Sequence, residues 1–348
     1  MRIGPTRVLV CDDSRTFAAA LTRTLERGGE IEVIGVAASG EAAIADLIRL
    51  APDLVTMDIE LPGMSGLEAV EEIMSSQPTP ILIVSSGVSA GGDLAPAALA
   101  AGALEAIGKD QLSLRDPDGA DALAFRRRVK MLASARVIRH PRARLNGRGA
   151  VPTPPPPRGS VIGICASTGG PHALATLLSG IPADFAIPIV VVQHIATGFA
   201  DGLARWLDSA VPLPVRLAEH GAPAHPGVTL APDGADLTVG TGDLLRLDST
   251  TPAGLHRPSG DVLLRSIARR AQSTGVAVVL TGMGRDGADG LAAVHEAGGL
   301  TIAQDEATSA VYGMPQEAAK RGAALILPIG EIAGALMNVA LDQRKQPR

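Results

Sequence analysis

The chain has 348 residues, 46% of them hydrophobic and mostly aliphatic, which suits two or three globular domains and excludes a disordered polymer. Only 2% are aromatic (four Phe, one Tyr, one Trp), too few stacking surfaces for a single-stranded nucleic-acid platform. A net charge of -5 argues against general attraction to phosphate polymers or anionic membranes, and no apolar run approaches the roughly 18 residues of a membrane span.

The first strand-like run, Val8-Leu-Val-Cys11, ends at once in Asp12 and Asp13, so neither a signal peptide nor an anchor is expected. Cys11 and Cys165 lie far apart in apolar runs, which reads as buried thiols of a reducing compartment, the cytoplasm. Strand-like segments at 7–12, 31–37, 54–58, 81–85 and 104–109 alternate with helical patterns such as 14–27, 41–50 and 66–76. Five such units predict a parallel sheet with helices on both faces.

Ligands of an open parallel sheet sit beyond the carboxyl ends of its strands. Asp12 and Asp13 end the first strand, Asp58 the third, Ser85 the fourth and Lys109 the fifth, so all converge on one edge. A single Asp at a strand end is more often a turn or cap residue, but three carboxylates held together call for a hard divalent cation, and Mg²⁺ suits oxygen ligands. Lys109 and Ser85 then stand ready for an anion, such as a phosphoryl group on one carboxylate.

This pattern resembles the receiver domain of bacterial response regulators, on Val8-Leu-Val-Cys-Asp-Asp-Ser-Arg15, Met57-Asp-Ile-Glu-Leu-Pro-Gly-Met-Ser-Gly66 and Lys109. The resemblance implies a flavodoxin-like (βα)5 domain over 5–122, with Asp58 as phosphoacceptor. It further implies Mg²⁺ held by Asp12, Asp13, Asp58 and the Glu60 backbone carbonyl, and phosphoryl contacts from Ser85 and Lys109. Asp110 stands where that family usually has proline, and Ala106 leaves no aromatic ring at the usual relay position.

From Ala122 to Gly159 there is no acidic residue, yet ten Lys and Arg fall in the stretch, and five prolines fall within 152–157. That composition predicts an extended, basic, Pro-rich linker at 123–158. Ten cations on a tether also raise a rival reading, a regulator whose linker engages DNA, although no helix-turn-helix is evident.

Strand-like runs resume at 161–165, 187–193, 228–231, 277–281 and 300–303, with helical stretches such as 172–178, 198–208, 261–272 and 288–297, and a hairpin joining 237–241 to 243–247. A second doubly wound, mostly parallel α/β domain over 159–348 follows. Ser167, in Val161-Ile-Gly-Ile-Cys-Ala-Ser-Thr-Gly-Gly-Pro171, sits at a strand-to-helix elbow beside helix N-terminal N–H groups. Helix capping by Ser167 and Thr168 is the plainer alternative. His194, ending an apolar strand, returns to the same edge, and Asp286 follows another strand in Thr281-Gly-Met-Gly-Arg-Asp-Gly287. Nucleophile, base and orienting acid at three strand ends make a Ser-His-Asp triad. The same loop spells G-x-G-x-x-G, with Asp305 about 20 residues on, so a dinucleotide site stays an alternative.

This half resembles the CheB-type chemotaxis protein-glutamate methylesterases. The carrying runs are Ala166-Ser-Thr-Gly-Gly-Pro171, Val191-Val-Gln-His194, His256-Arg-Pro-Ser259, Thr281-Gly-Met-Gly-Arg-Asp-Gly287, Thr301-Ile-Ala-Gln-Asp-Glu306 and Tyr312-Gly-Met-Pro315. The resemblance implies Ser167 as nucleophile, His194 as base and Asp286 as orienter, with the backbone N–H groups of Thr168 and Met283 as oxyanion donors and no cofactor for the esterase. It also implies methyl-accepting chemotaxis receptors as substrates, glutamine deamidation by the same steps, a chemotaxis histidine kinase as phosphodonor, and neither nucleic acid nor membrane insertion. Two folded domains on a tether suit a receiver that covers the esterase cleft until Asp58 is phosphorylated. Cys165 replaces a glycine, Gly260 a valine, Ile195-Ala-Thr197 the usual Met-Pro-Pro, and Asp236 stands where histidine is common. An esterase with a different target remains an alternative.

Overall fold

The computed structural model describes residues 4–86, 94–112, 114–137, 160–250 and 256–342, and the chain divides into two compact units, Met1–Ala143 and Arg144–Arg348. The first unit runs β1 (Thr6–Cys11), α1 (Arg15–Glu26), β2 (Ile31–Ala37), α2 (Gly40–Leu50), β3 (Leu54–Met57), α3 (Gly66–Ser76), β4 (Ile81–Ser85), α4 (Leu94–Ala100), β5 (Glu105–Gly108) and α5 (Ala120–Ala133). Its five strands pair in parallel in the order β2-β1-β3-β4-β5. Strands β3, β4 and β5 are buried along their length, which is why their sequences are mostly apolar without strict polar alternation. Ser14, Ser39 and Ser65 cap α1, α2 and α3, each hydroxyl accepting the N–H three residues on, and Glu68 completes a capping box with Ser65.

Helix α5 runs past residue 122, where the linker was expected to begin. Ala122, Phe125, Val129 and Leu132 bury one face of it. The cations between them serve the fold: Arg126 donates to the carbonyls of Thr24 and Pro117, Arg128 pairs with Glu105, and Lys130 pairs with Glu30 at 2.6 Å. Composition hid the helix because its basic residues lie between the apolar positions that mark the period. Residues 138–159, with the proline run and most of the remaining linker cations, lie outside the described residues.

The second unit runs β6 (Val161–Ala166), α6 (Gly170–Ser179), β7 (Pro188–Gln193), α7 (Ala200–Ala210), β8 (Val215–Leu217), β9 (Gly227–Leu230), β10 (Asp236–Val239), β11 (Leu245–Asp248), α8 (Gly260–Ala271), β12 (Gly275–Val279), α9 (Ala288–Glu296), β13 (Leu300–Gln304), α10 (Met314–Lys320), β14 (Leu325–Leu327) and α11 (Ile329–Asp342). Seven strands form one parallel sheet in the order β14-β13-β12-β6-β7-β9-β8, and β10 and β11 make the expected hairpin as a separate antiparallel pair. Leu174, Leu177, Leu203, Leu207, Ile332 and Leu336 from α6, α7 and α11 fill one core. Leu263, Leu264, Ile267, Leu291 and Met314 from α8, α9 and α10 fill the other, joined by Leu237, Val239 and Leu245 of the hairpin. The sequence reading missed the short edge strands β8 and β14, three residues each. The strand order reverses between β6 and β12, and open parallel sheets bind their ligands beyond the carboxyl ends of the strands at such a switch point. Among the described residues no helix is long and apolar enough to cross a membrane.

If α5 is a structural helix of the first unit, Leu132→Ala should destabilise that unit by about 2–5 kcal/mol. A urea unfolding curve of the full chain reads this as a lower midpoint for the first unit; an unchanged midpoint would return the segment to the linker.

Candidate functional site

At the carboxyl edge of the first sheet, Asp12 and Asp13 follow β1 and Asp58 follows its neighbour β3. One oxygen from each lies within 4.8 Å of the others, an oxygen donor set that fits a hard divalent cation. Lys109, just after β5, places Nζ 2.5 Å from Asp58 Oδ2 and 2.6 Å from Asp12 Oδ2, with the Phe17 ring centroid 4.5 Å away. Burial alone would lower the lysine pKa, but the two carboxylates hold it above its ordinary value; burial pushes Asp12 up against the pull of Lys109. Ser85 ends β4 fully buried, and among the described residues its hydroxyl has no hydrogen-bond partner, a donor left over for an anion. Glu60 N–H donates to Asp58 Oδ1 at 3.2 Å. Glycine is required at position 66, since a Cβ there would stand 1.9 Å from the Asp58 carbonyl oxygen.

In the second unit, Ser167, His194 and Asp286 follow β6, β7 and β12, three adjacent strands with β6 in the middle. His194 Nε2 lies 2.8 Å from Asp286 Oδ2, and His194 Nδ1 is buried with no hydrogen-bond partner among the described residues. Ser167 is held through its backbone: its N–H donates to the Thr281 carbonyl at 3.0 Å, and its carbonyl accepts the Gly170 N–H at 2.8 Å. Helix α6 has Gly169 at its N-cap, in the left-handed conformation, with no side-chain cap bond, so the N-cap position of the plainer reading belongs to neither Ser167 nor Thr168. Thr281 Oγ1 donates to the Thr168 carbonyl at 2.9 Å and accepts the Val311 N–H at 2.9 Å, fixing the turn beside Ser167. Thr168 is buried, whereas Met283 is 40% exposed. Gly282 must be glycine: a Cβ there would stand 2.7 Å from Ser167 Cβ and 2.4 Å from Met314 Sδ.

Asp286 is the most heavily bonded acid of the site. Beyond His194, it accepts Ser259 Oγ at 2.9 Å, Gly260 N–H at 2.6 Å and Asp261 N–H at 3.0 Å, the start of α8. Burial by itself would raise its pKa, but these donors and His194 hold it well below the usual carboxylate range. The dinucleotide alternative would need Asp286 beside a pyrophosphate and Asp305 on a ribose; Asp305 instead accepts its own Thr308 N–H at 3.0 Å and hydroxyl at 2.5 Å.

Sequence reasoning gave no site role to Ser259, His256, Gln193 or Thr281. The His256 ring stacks on His194, centroids 4.4 Å apart and planes 15° from parallel, and burial and His194 push its pKa down. Polar residues ending fully apolar strands, Gln193 and Thr281 among them, were the available signal. Cys165 and Gly260 also meet in space. A Cβ on Gly260 would stand 2.7 Å from Cys165 Sγ and 3.0 Å from Cys165 Cβ, so the larger residue on β6 occupies the space its partner leaves empty.

A carboxylate with a lowered pKa contributes stability that is complete above the ordinary carboxylate range and is lost as pH falls through the folded value. The stability difference between wild type and Asp286→Asn should therefore be largest near neutrality and shrink below about pH 4 in a urea series. For the packed pair, Gly260→Val should cost about 1–3 kcal/mol and regain much of it when combined with Cys165→Gly. Additive single effects in that double-mutant cycle would show that the two positions are not coupled.

Residues 162–336 match the CheB methylesterase family, and residues 8–114 match the response regulator receiver domain. The chain is 44% identical to protein-glutamate methylesterase/protein-glutamine glutaminase 4 of Myxococcus xanthus (strain DK1622) over 322 residues, covering 90% of this chain and 91% of that protein. It is equally 44% identical to protein-glutamate methylesterase/protein-glutamine glutaminase 2 of Anaeromyxobacter dehalogenans (strain 2CP-C) over 337 residues, 96% of this chain and 97% of that one. The crystal structure of the Thermotoga maritima CheB methylesterase catalytic domain, 37% identical, aligns with a TM-score of 0.50 over 52% of this chain and 98% of its own length. The chain therefore belongs to the CheB methylesterase family, as a carboxylic ester hydrolase that carries a response regulator receiver domain ahead of the esterase domain.

Proposed function

We propose that the protein demethylates glutamate γ-methyl esters on methyl-accepting chemotaxis receptors, releasing methanol, and that phosphorylation of Asp58 in the receiver controls it. The observation that carries the chemistry is the 2.8 Å bond between His194 and Asp286 at the strand ends flanking Ser167. Ser167 Oγ attacks the ester carbonyl while the His194 ring nitrogen not bonded to Asp286 takes the hydroxyl proton. Asp286, kept ionised by its four donors, holds the ring orientation and stabilises the imidazolium. The backbone N–H groups of Thr168 and Met283 receive the oxyanion, and methanol leaves with the proton from His194. Water activated by the same ring then hydrolyses the acyl-enzyme to free glutamate and Ser167. Deamidation of receptor glutamine follows the same steps with ammonia as leaving group, in keeping with the double name of the relatives.

In the receiver, Asp58 takes the phosphoryl group from a chemotaxis histidine kinase, and Lys109 and Ser85 contact its oxygens. Asp12, Asp13 and Asp58, with the Glu60 backbone carbonyl, would hold Mg²⁺, whose charge offsets that of the transferring group. Cys11 and Cys165 are free buried thiols, which agrees with a cytoplasmic site of action.

Methanol release from a methylated receptor cytoplasmic fragment tests both parts. Ser167→Ala should lower release at least about 10³-fold, whereas a noncatalytic serine predicts little change. Wild-type release should rise with Mg²⁺ and a small phosphodonor, and that rise should be absent in Asp58→Asn. Release that survives Ser167→Ala would overturn the mechanism; a rise that persists in Asp58→Asn would overturn the control.

A further inference from the structure

Gln193 closes β7 as the polar end of an otherwise apolar strand, and its side chain is buried. The parallel ladder between β6 and β7 ends at Ala166 opposite Gln193, with a last backbone bond from His194 N–H to the Ala166 carbonyl at 2.9 Å. Ser167 and His194 are thus the first residues past the last paired position on each strand, and the ladder supplies no bond beyond the one from His194 N–H. Gln193 Nε2 spans that gap, donating to the Ser167 carbonyl and to the His194 carbonyl at 2.8 Å each. These partners dictate the amide orientation, since the exchanged form would set Oε1 against two carbonyl oxygens.

The opposite end of the amide shows what this arrangement costs. Gln193 Oε1 is buried with no hydrogen-bond partner among the described residues, and it lies where a Cβ on Gly170 would stand 2.1 Å away. The first turn of α6 therefore admits the amide only because position 170 is glycine. An unsatisfied buried oxygen is unfavourable, and the two donor bonds are what the chain gains by carrying it.

We propose that Gln193 is a positioning residue that sets the distance between Ser167 and His194 through their two backbone carbonyls. The inference rests on the esterase reading above and deepens it, because proton transfer from Ser167 needs hydrogen-bond reach to the imidazole and a misplacement near 1 Å costs roughly 10²-fold in rate.

The test uses the full chain with the methylated receptor fragment, comparing wild type, Ser167→Ala, Gln193→Met and Gln193→Glu. Met keeps the shape without donors, and Glu keeps the shape with a group that accepts and does not donate when ionised. Active sites are titrated to completion with a fluorophosphonate, so that kcat refers to folded, reactive enzyme. The expected result is a ten- to hundredfold fall in kcat per titrated site, about as a misplacement of that size gives, with KM within about threefold of wild type. If Gln193→Met yields too little folded protein, Gln193→Glu is read by the same criterion. A kcat per titrated site within about threefold of wild type, the loss lying only in the number of reactive sites, would make Gln193 merely structural and overturn the proposal. Wild-type release that does not depend on Ser167 would overturn the esterase reading and this inference with it, an outcome the Ser167→Ala arm separates from the first.

Discussion

A mostly buried carboxylate at the start of a helix governs the second unit. An ion taken out of water is costly unless hydrogen bonds replace its hydration. Asp286 recovers that cost from four donors: the His194 ring, the Ser259 hydroxyl, and the N–H groups of Gly260 and Asp261. Those donors come from the turn after β7 and from the first turn of α8, so satisfying one charge draws both toward the loop that follows β12. The anionic end of the network meets the positive end of the α8 dipole, which keeps Asp286 ionised and able to hold an imidazolium.

Both units solve their chemistry on the same kind of edge. In each, a parallel sheet delivers the strand ends to one side, and reactive residues gather where the strand order reverses: β1 beside β3 in the first unit, β6 beside β12 in the second. The first unit gathers acids, and Lys109 reaches Asp12 and Asp58 to balance them. The second gathers a hydroxyl, an imidazole and an acid on three adjoining strands. Ladder bonding stops just short of these residues, so side chains such as Gln193 and Thr281 take over from the sheet in fixing the backbone.

Close approach explains the glycines of the motifs better than flexibility does. Gly66 lies against the Asp58 carbonyl, Gly282 against Ser167 and Gly170 against the Gln193 amide, each at a distance no Cβ would tolerate. Cys165 and Gly260 show the same economy, since the Cys165 side chain on β6 fills the space that a side chain at the start of α8 would need.

Periodicity and strand-end chemistry made much of this legible without coordinates. Apolar runs ending in Asp12, Asp58, Ser167 and His194 announce parallel strands whose last residues face one edge, because a strand covered on both faces must be apolar throughout. The hairpin and the alternation of strand and helix were readable for the same reason. Helix α5 was not, because Arg126, Arg127, Arg128 and Lys130 mask its apolar positions and resemble the basic tether that follows. The three-residue strands β8 and β14 carry too little periodicity to stand out. The sequence by itself determined which residue types reach the carboxyl edge of each sheet, since strand direction and the two-residue alternation of side chains are local properties. Only the tertiary structure decided which of them touch: that Asp286 bonds His194 and the start of α8, that His256 stacks on the same ring, and that Gln193 reaches across to Ser167, because contacts between residues 25 to 92 positions apart depend on how helices and loops pack.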